Sequence, residues 1–328
     1  MFENAIVLVT GGTGTWGYEL VTQLLSQNAK KIIVYSRSES NQVAMKRAFE
    51  NPKLSFCIGD VRDREALNKA CEGVDYVFHL AALKHVPVCE DQPFEALKTN
   101  LIGTQNVIEA AIENKVKKVI NVSTDKAVDP INFYGMTKAI GEKLMVYANL
   151  LNTETKFICV RGGNLLGSNG SVLQLFIDQI KEKKQIGITD KRMSRFFLTP
   201  QKATEFLLKA ANDGIGGEIF VITMPACTIL DLAEVLMEAY GDNSLGVVEL
   251  GIRSGEKLHE NLISEYEIQN TYIYDKQYLI VLPTMNIPNL QAYYSDLSSR
   301  ATKTYCSTDY LMTKDEIKRM LTKGGFIA

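Results

Sequence analysis

Two side chains four residues apart, Tyr134 and Lys138, are the first candidates for chemistry in this sequence of 328 residues. Residues at positions i and i+4 lie on one face of a helix, so a helix here presents both groups to the same site. A free tyrosine has a pKa of about 10 and is a weak base at neutral pH. A nearby ammonium favours the phenolate, which can take the proton of a substrate hydroxyl while hydride leaves the adjoining carbon. The pair therefore indicates oxidation of an alcohol.

A second acid and base lie upstream, where Thr124, Asp125 and Lys126 follow an apolar run. A hydroxyl at this place can hydrogen-bond the reacting oxygen, and alcohol oxidation needs only that hydroxyl, the tyrosine and the lysine. An additional acid and base indicate a second step such as β-elimination: beside a newly formed ketone a base removes an acidic proton, while an acid protonates a departing hydroxyl. We assign Lys126 as the base and Asp125 as the acid. The alternative is a surface ion pair at a strand end.

Strands that alternate with helices are expected to position these groups. Short runs rich in β-branched residues predict strands, and apolar residues at helical spacing predict helices between them. This alternation predicts βαβ units and a parallel sheet, and near-continuous apolar strands fit a sheet covered on both faces. The predicted strands are 5–10, 31–35, 54–59, 75–80, 118–122 and 156–160, and the predicted helices are one that contains Trp16, Leu20 and Leu24 and others at 64–71, 94–114 and 134–151.

Beyond about residue 165 the alternation loosens, with helical patterns at 172–183, 200–212, 229–240 and 313–322. We therefore predict an α/β fold: a Rossmann-type doubly wound parallel sheet with a smaller C-terminal substrate-binding lobe. Residues 1–165 form the predicted sheet domain, to which some later segments return, and residues 166–328 form the predicted smaller lobe. A cleft between the two is the expected site.

A glycine-rich turn predicts a dinucleotide site. Residues 10–17 read T-G-G-T-G-T-W-G, directly after the first strand and at the start of a helix. Glycine permits a tight turn and close approach of a pyrophosphate, and the helix N-terminus offers unpaired N–H groups and partial positive charge. The cofactor-binding candidates in this turn are Gly11, Thr13, Gly14, Thr15, Trp16 and Gly17.

The end of the second strand indicates which dinucleotide binds. NAD enzymes usually carry a carboxylate there for the ribose 2′-hydroxyl, whereas this sequence has Ser36 and Arg37. A guanidinium beside a hydroxyl suits a 2′-phosphate, so we predict NADP, the alternative being a solvated surface arginine. Further residues expected to line the cofactor are Asp60, Val61, Ala81 and Ala82, although an ordinary loop would equally account for the two alanines.

Composition argues against several other classes of protein. The net charge is −2, which disfavours binding to nucleic acid or to an anionic membrane. The six cysteines are scattered without a C-x-x-C pair, as expected for free thiols in a reducing cytosol. No signal peptide or membrane span is evident, and the three histidines lie too far apart for a typical zinc site. We expect a cytoplasmic protein that binds no metal.

Eight short runs make a resemblance to a known family specific. They are T-G-G-T-G-T-W-G, Y-S-R, G-D-V-R-D, A-A-L-K-H-V-P, S-T-D-K-A-V-x-P-I-N-x-Y-G-M-T-K, G-S-N-G-S-V, I-T-D-K-R-M-S-R-F and G-x-R-S-G-E-K-L-H-E. From about residue 5 to 263 the sequence closely resembles the UDP-N-acetylglucosamine 4,6-dehydratases, most of all the 5-inverting type that opens pseudaminic acid biosynthesis. The related dTDP-glucose dehydratases carry an Asp-Glu pair where this sequence has Asp125 and Lys126.

The resemblance implies a three-stage cycle on bound NADP. Tyr134 deprotonates the C4 hydroxyl as hydride passes to the cofactor, and Lys126 and Asp125 then drive loss of water across C5–C6. Hydride finally returns to C6, while C5 is reprotonated from the opposite face. The resemblance also implies a homo-oligomer formed through the long helices at 94–114 and 134–151. The residues it implies for the UDP-sugar are Lys84, which contacts substrate or cofactor, and Asn164, Val172, Thr189, Arg195, Arg253 and Glu256.

Two positions depart from the family pattern. The family reads R-Y-G-N where this sequence has Gly162 between Arg161 and Gly163, and G-S-R-G-S where it has Asn169. The missing aromatic ring leads to the hypothesis that the last stage differs and that a 5,6-unsaturated sugar is released for a partner enzyme. A UDP-sugar 4-epimerase or reductase, and a non-catalytic NADP-sensing regulator, remain as alternatives.

Overall fold

A computed structural model describes residues 2–151, 154–168, 170–182, 184–240, 245–297 and 299–328. The strands are β1 (Ile6–Thr10), β2 (Lys31–Ser36), β3 (Leu54–Ile58), β4 (Tyr76–His79), β5 (Lys118–Thr124), β6 (Lys156–Gly162), β7 (Asn164–Leu165), β8 (Ile186–Ile188), β9 (Ser194–Leu198), β10 (Ile219–Ile222), β11 (Ala226–Thr228), β12 (Val247–Glu249), β13 (Asn261–Ile263), β14 (Thr271–Ile273), β15 (Tyr278–Val281) and β16 (Tyr305–Cys306). The α-helices are α1 (Thr15–Ser26), α2 (Glu39–Phe49), α3 (Arg64–Ala70), α4 (Val86–Asp91), α5 (Pro93–Leu97), α6 (Gly103–Glu113), α7 (Phe133–Leu151), α8 (Val172–Lys181), α9 (Pro200–Asp213), α10 (Ile229–Ala239), α11 (Leu290–Tyr293) and α12 (Lys314–Lys323).

Within the described residues, nine strands form one sheet in the order β14-β15-β10-β6-β5-β4-β1-β2-β3. Seven neighbouring strands of this sheet, β10, β6, β5, β4, β1, β2 and β3, are parallel. The remaining two, β15 and β14, are each antiparallel to the strand before them in the sheet order. The chain leaves β1 toward β2 and later returns to place β4 on the other side of β1. This reversal opens a crevice at the carboxyl ends of β1 and β4, where ligands bind in open α/β sheets.

Both faces of the sheet are covered, as the continuous apolar strands predict. Val7, Leu8 and Val9 are consecutive in β1, and each is fully buried, which requires packing on both sides of the strand. In the part of the chain that the structure describes, no helix combines the length and apolarity needed to cross a membrane.

A smaller lobe packs beside the carboxyl ends of the strands. It contains the sheets β11-β9-β7 and β12-β8 and the helices α8, α10 and α12. These elements share a separate apolar core, in which Phe176, Leu232 and Ile317 are buried. Helix α12 begins with a capping box formed by Thr313 and Glu316, which satisfies backbone groups at its start.

The predicted fold class is confirmed, and the six predicted strands are present with ends shifted by at most two residues. The predicted helix at 94–114 is divided by a π-helical turn at Lys98–Ile102. The sequence interpretation missed helices α2 and α4. It also gave no positions for three strands beyond residue 165, β10, β14 and β15, which join the main sheet. The division of the chain into two domains stays a prediction.

A buried arginine joins strand β6 to helix α7 and to the segment that follows β13. Arg161, at the end of β6, is 1% exposed and donates to both oxygens of Glu142 on α7, at 3.1 and 2.7 Å. It also donates to both oxygens of Glu267, at 2.9 Å each, and to the carbonyl of Leu262 at 2.9 Å. Burial opposes the charged form, but the two carboxylates together raise the pKa of Arg161 above its ordinary value. One guanidinium thus ties α7, the sheet and the segment around 262–267 together.

Replacing Arg161 with methionine is expected to lower the free energy of unfolding by about 3 to 5 kcal/mol, because two buried carboxylates lose their partner. Urea denaturation measures the loss. Arg47→Met, on the exposed face of α2, is the matched control and should change stability by no more than about 0.5 kcal/mol. Equal stabilities of the two variants would contradict a structural role for the buried network.

Candidate active site

The glycine turn lies where the sheet order reverses. Gly11 has a φ of +68° and donates its N–H to the carbonyl of Tyr35 at 2.8 Å. A Cβ at Gly11 would lie 2.8 Å from the backbone nitrogen of Ala81, and one at Gly17 would lie 2.6 Å from the Cα of Gly12. Both positions therefore require glycine. Helix α1 starts at Thr15 with no side-chain cap, so its first N–H groups point into the crevice without a side-chain partner.

Trp16 and Ala81 complete this cradle. The indole Nε1 of Trp16 is buried and has no hydrogen-bond partner within the described chain. An orphaned buried donor costs free energy, so it fits a site that a ligand completes. The backbone of Ala81, at the end of β4, donates to the hydroxyl of Thr10 at 3.3 Å, which fixes the strand ends on both sides of the turn. Thr13, Gly14 and Ala82 lie in the same loops.

The end of β2 carries the groups predicted for a 2′-phosphate. Ser36 is buried, and its hydroxyl accepts from Gln42 at 3.0 Å. The Arg37 side chain is 54% exposed, and its Nη1 lies 3.9 Å from Oδ2 of Asp60. Burial opposes the ionised form of Asp60, but hydrogen bonds from Arg62 and the charge of Arg37 lower the pKa of Asp60. The Arg37 guanidinium is thus held loosely and can reach a ligand.

The predicted catalytic residues come together at the carboxyl end of β5. Asp125 is fully buried, and its Oδ1 accepts from the Thr124 hydroxyl at 2.9 Å and from Lys126 Nζ at 3.0 Å. A hydrogen bond joins Thr124 to the hydroxyl of Tyr134, which is 8% exposed. Lys138 is also buried and donates to the carbonyl of Val122 at 2.7 Å. Asp125 and Lys126 therefore form a buried pair beside Tyr134.

Burial dominates the acid–base properties of Tyr134 in the ligand-free chain. It raises the pKa of Tyr134 to about 12, and the charge of Lys126 and the hydrogen bond with Thr124 oppose the rise. Burial also lowers the pKa of Lys138, against the charges of Cys159 and Glu142. Tyr134 is thus a neutral phenol at rest, and it becomes a base at neutral pH only when a ligand adds positive charge beside it.

Sequence reasoning missed Glu260, which lies within the quoted run G-E-K-L-H-E without a spacing that would distinguish it. Glu260 is 2% exposed, and its Oε1 lies 3.9 Å from Lys126 Nζ and 3.8 Å from Arg195 Nε. Burial, and then the charge of Asp125, raise the pKa of Glu260, while Lys126 and Arg195 lower it, and the pKa is raised overall. The site therefore has a second buried carboxylate.

Asn100 was also missed. It lies in the π-helical turn, donates to the carbonyl of Leu83 at 2.9 Å and accepts from the N–H of Leu83 at 2.8 Å. It also donates to the hydroxyl of Thr137 at 3.0 Å. These bonds hold the loop after β4 against α7, one residue before Lys138.

The residues implied for the substrate occupy different surroundings. Asn164 accepts from Lys126 Nζ at 3.2 Å, so it lies within the catalytic cluster. Arg195 donates to the carbonyls of Ser194, Leu258 and Lys257 at 2.8, 3.1 and 2.7 Å, so most of its donors serve the protein itself. Lys84 lies at the rim, where partial burial and then the charge of Lys126 lower its pKa.

Arg253 and Glu256 lie in the loop that follows β12. The Arg253 side chain is 56% exposed and lies 3.9 Å from Glu256, whose Oε2 is buried without a hydrogen-bond partner in the described chain. Val172 begins α8, and its N-cap Ser171 has a buried hydroxyl that is likewise unpartnered there. Thr189 follows β8. Binding of a UDP-sugar by these residues stays a prediction.

The two glycines after Arg161 differ in what they require. A Cβ at Gly163 would lie 2.5 Å from the Cβ of Phe196, so only glycine fits there. A Cβ at Gly162 would lie 3.4 Å from Met224 and 3.5 Å from Ile222, which are ordinary contacts. Packing around the first side-chain atom therefore does not explain Gly162. Asn169, the other departure from the family pattern, lies outside the described residues.

The described residues contain no group of three or more His, Cys, Asp or Glu side chains placed to hold a metal ion. All six cysteines, which belong to the described chain, are free thiols.

Comparison with known proteins gives a consistent result. A family model described as polysaccharide biosynthesis protein matches residues 7–282. The chain is 45% identical over 285 residues to a UDP-N-acetylglucosamine 4,6-dehydratase (inverting) of Campylobacter jejuni subsp. jejuni serotype O:2, covering 85% of this chain and 84% of that protein. It is 45% identical over 275 residues to a UDP-glucose 4-epimerase of Rickettsia felis, covering 82% and 80%. The X-ray structure of Pen from Bacillus thuringiensis matches with a TM-score of 0.93 and 36% identity over 100% of both chains.

Alanine at Gly11 is expected to destabilise the chain more than alanine at Gly73. The two glycines have nearly equal φ values, +68° and +69°, so the backbone strain of about 1 kcal/mol is shared. At Gly73 a Cβ meets nothing within 4 Å, whereas at Gly11 it meets the backbone of Ala81. Denaturant unfolding of both variants measures the difference. Equal losses would show that the turn tolerates a side chain and that the cradle is not built on close packing.

Proposed function

Because the chain belongs to the polysaccharide biosynthesis protein family, which matches most of its length, we propose that it is a sugar-nucleotide 4,6-dehydratase acting on UDP-N-acetylglucosamine. The observation that carries the proposal is the ion pair beside Tyr134 between the buried Asp125 and Lys126, whose side chain is 19% exposed. Tyr134 and Lys138 alone support oxidation of a hydroxyl. The extra acid and base, both held in place by protein contacts, are what loss of water requires in addition.

The catalytic residues act in order on this proposal. Tyr134 takes the proton of the C4 hydroxyl, and Thr124 hydrogen-bonds the same oxygen. The resulting C4 ketone makes the C5 proton acidic, and Lys126, as a free amine, removes it. Asp125 protonates the C6 hydroxyl as it leaves as water. The proton for Asp125 comes from the Lys126 ammonium across the 3.0 Å contact, so one transfer prepares both the base and the acid.

The dinucleotide cradle fits a nicotinamide cofactor, because Gly11 and Gly17 allow the tight turn that leads into the uncapped start of α1 and because Trp16 Nε1 lacks a partner in the described chain. When bound, the cofactor accepts hydride from C4 and supplies hydride to C6. We propose NADP over NAD because Arg37 is exposed and close to Ser36. Gly14 and Thr15 would hold the pyrophosphate at the start of α1, and Asp60 and Val61 would line the adenine.

We further propose that the UDP-sugar is bound by Asn164, Arg253, Glu256 and the start of α8 at Val172.

We propose a homo-oligomer, because α7 exposes an apolar stripe on one face. The stripe consists of Met136, Ile140, Tyr147 and Leu151, which are 44, 48, 46 and 57% exposed. We propose a place in the cytoplasm and a role in bacterial surface-sugar synthesis, in keeping with the free thiols and the sugar-nucleotide substrate.

A second candidate differs only in the product. Gly162 pairs in register with Thr124, at the end of the strand beside β5, so this position offers no side chain to confine a ligand beside Thr124. Less confinement of the elimination intermediate favours its release as a 5,6-unsaturated UDP-sugar before hydride returns. Proton NMR of the product separates the two outcomes: vinyl signals indicate early release, and a C6 methyl doublet without vinyl signals excludes it.

The function is tested by incubating the protein with UDP-N-acetylglucosamine and NADP in deuterated water. The wild type is expected to place deuterium at C5 and to lose the C6 hydroxyl, because Lys126 exchanges its protons with solvent. Tyr134→Phe should lose at least 100-fold in rate at the first step, since no general base remains. Lys126→Met should still reduce bound cofactor but should give no deuterium at C5.

Lys46→Met, at an exposed position of α2, is the control and should leave turnover unchanged. Deuterium at C5 in the Lys126→Met product would contradict the role of that lysine. Inversion at C4 by the wild type, with neither water loss nor deuterium at C5, would instead identify an epimerase.

Arg37→Ala is expected to weaken NADP binding about tenfold or more and to leave NAD binding unchanged, because a charged contact to the 2′-phosphate is lost. The chain contains one tryptophan, Trp16, so energy transfer from its indole to bound reduced cofactor reports binding directly. Arg64→Ala, an equally exposed arginine on α3, is the control. Equal loss of NADP and NAD affinity on substitution of Arg37 would exclude recognition of the 2′-phosphate.

A further inference from the structure

Lys126 must change its charge during the proposed reaction, and this requirement draws attention to what surrounds it. Its Nζ lies 3.0 Å from Oδ1 of Asp125, 3.2 Å from Oδ1 of Asn164 and 3.9 Å from Oε1 of Glu260. These acceptors favour the ammonium. Burial opposes the charge, yet Asp125 and Glu260 together raise the pKa of Lys126 above its ordinary value. The base for the C5 proton is therefore protonated at rest.

The two carboxylates around Lys126 are bonded differently. Asp125 Oδ1 accepts from Thr124 and Lys126 at hydrogen-bond distance. Glu260 is equally buried, but its Oε2 has no hydrogen-bond partner in the described chain, and its Oε1 approaches cations only at 3.8 and 3.9 Å. Glu260 therefore acts on Lys126 through its charge rather than through a short hydrogen bond, so a neutral substitute of the same shape removes the charge alone.

We propose that Glu260 is a positioning residue that holds Lys126 in its charged form and thereby sets the pH at which Lys126 can remove the C5 proton. The inference rests on the proposed function. The proton of Lys126 passes to Asp125, the C5 proton then passes to Lys126, and Asp125 gives its proton to the departing hydroxyl, which restores the resting ion pair. Ionised Glu260 makes the first transfer harder, and neutral Glu260 makes it easier.

The charged and titratable groups around this pair come from several elements. Asp125 and Glu260 raise the pKa of Lys126, and Arg195 lowers it. The charge of Lys126 in turn lowers the pKa values of Lys84 and Tyr134. Glu260 faces Lys126, Asp125, Arg195 and Lys257. The charges that act most on the pKa of Tyr134 are those of Lys126 and Asp125, so removal of Glu260 should act mainly on the C5 step and leave the oxidation at C4 in place.

The test is the Glu260→Gln variant, examined at each step across a pH range. Well below the pKa of Lys126 the free amine forms only by transfer of its proton to Asp125, which does not depend on pH. As the pH rises through that pKa, solvent also removes the proton, so the rate of C5 exchange rises to a plateau. Removal of an anion about 4 Å away lowers that pKa, and we expect the rising limb of deuterium incorporation at C5 to move about one pH unit lower. The pH dependence of cofactor reduction, read from dihydronicotinamide absorbance in a single turnover, should not move.

Two controls accompany this variant. Glu265→Gln, at an exposed position five residues away, should leave both profiles in place. Glu260→Asp keeps the charge but withdraws it by one methylene, so it should shift the C5 limb in the same direction by a smaller amount. The aspartate variant also serves if the glutamine variant does not fold.

The pKa of Lys126 in the ligand-free protein provides a reading that does not depend on activity. It is followed by NMR of ¹⁵N-lysine-labelled protein, with the signal assigned from Lys126→Met, and Glu260→Gln should lower it by about one unit. An unchanged Lys126 pKa overturns the inference, as does a fall of both rates at every pH without a shift. A lowered pKa in a protein that places no deuterium at C5 supports the role of Glu260 and refutes the dehydratase.

Discussion

The arrangement of the site depends on one buried guanidinium. Arg161, on strand β6, donates hydrogen bonds to Glu142 on α7 and to Glu267 in the segment after β13. Glu142 lies one turn after Lys138 and two turns after Tyr134, so this contact fixes the rotation of the helix that carries both. Partial loss of the network would leave buried charge unpaired, which costs more than the complete network contributes. The network therefore favours one arrangement of helix, sheet and lobe over all others.

The cluster at the end of β5 is also constrained by the cost of leaving a buried charge without a partner. Two cations, Lys126 and Arg195, lie among two buried carboxylates, Asp125 and Glu260. No member of this group can be removed without leaving a buried charge of one sign in excess. An acid–base site of this kind holds protons ready for transfer, because the transfer between Lys126 and Asp125 leaves the total charge unchanged. Burial, which makes Tyr134 a poor base alone, makes each neighbouring charge effective.

Periodicity and turn chemistry predicted the part of the fold that local physics determines. The strand ends at Thr124 and Gly162 and the glycine turn at Gly11 follow from apolar runs and the steric freedom of glycine. The short strands β10, β14 and β15 were missed because their place in the sheet depends on contacts with β6 and with each other. Glu260 was missed for the same reason, since a glutamate 134 residues from Lys126 has no local signal of its partner. Motif spacing predicted Tyr134, Asp125 and Lys126 because all three lie within ten positions.

The names of the relatives, a dehydratase and an epimerase at equal identity, follow from how little separates the two reactions. Both require the cradle at Gly11 and the base at Tyr134, which most of the fold serves to position. Dehydration adds only a base near C5 and an acid near C6, the roles that we propose for Lys126 and Asp125 at one strand end. A change of two side chains at that place can therefore alter the reaction while the sheet, the helices and the cofactor site stay as they are. Overall similarity therefore reports the scaffold, and on the proposed mechanism Asp125 and Lys126 determine which chemistry the scaffold performs.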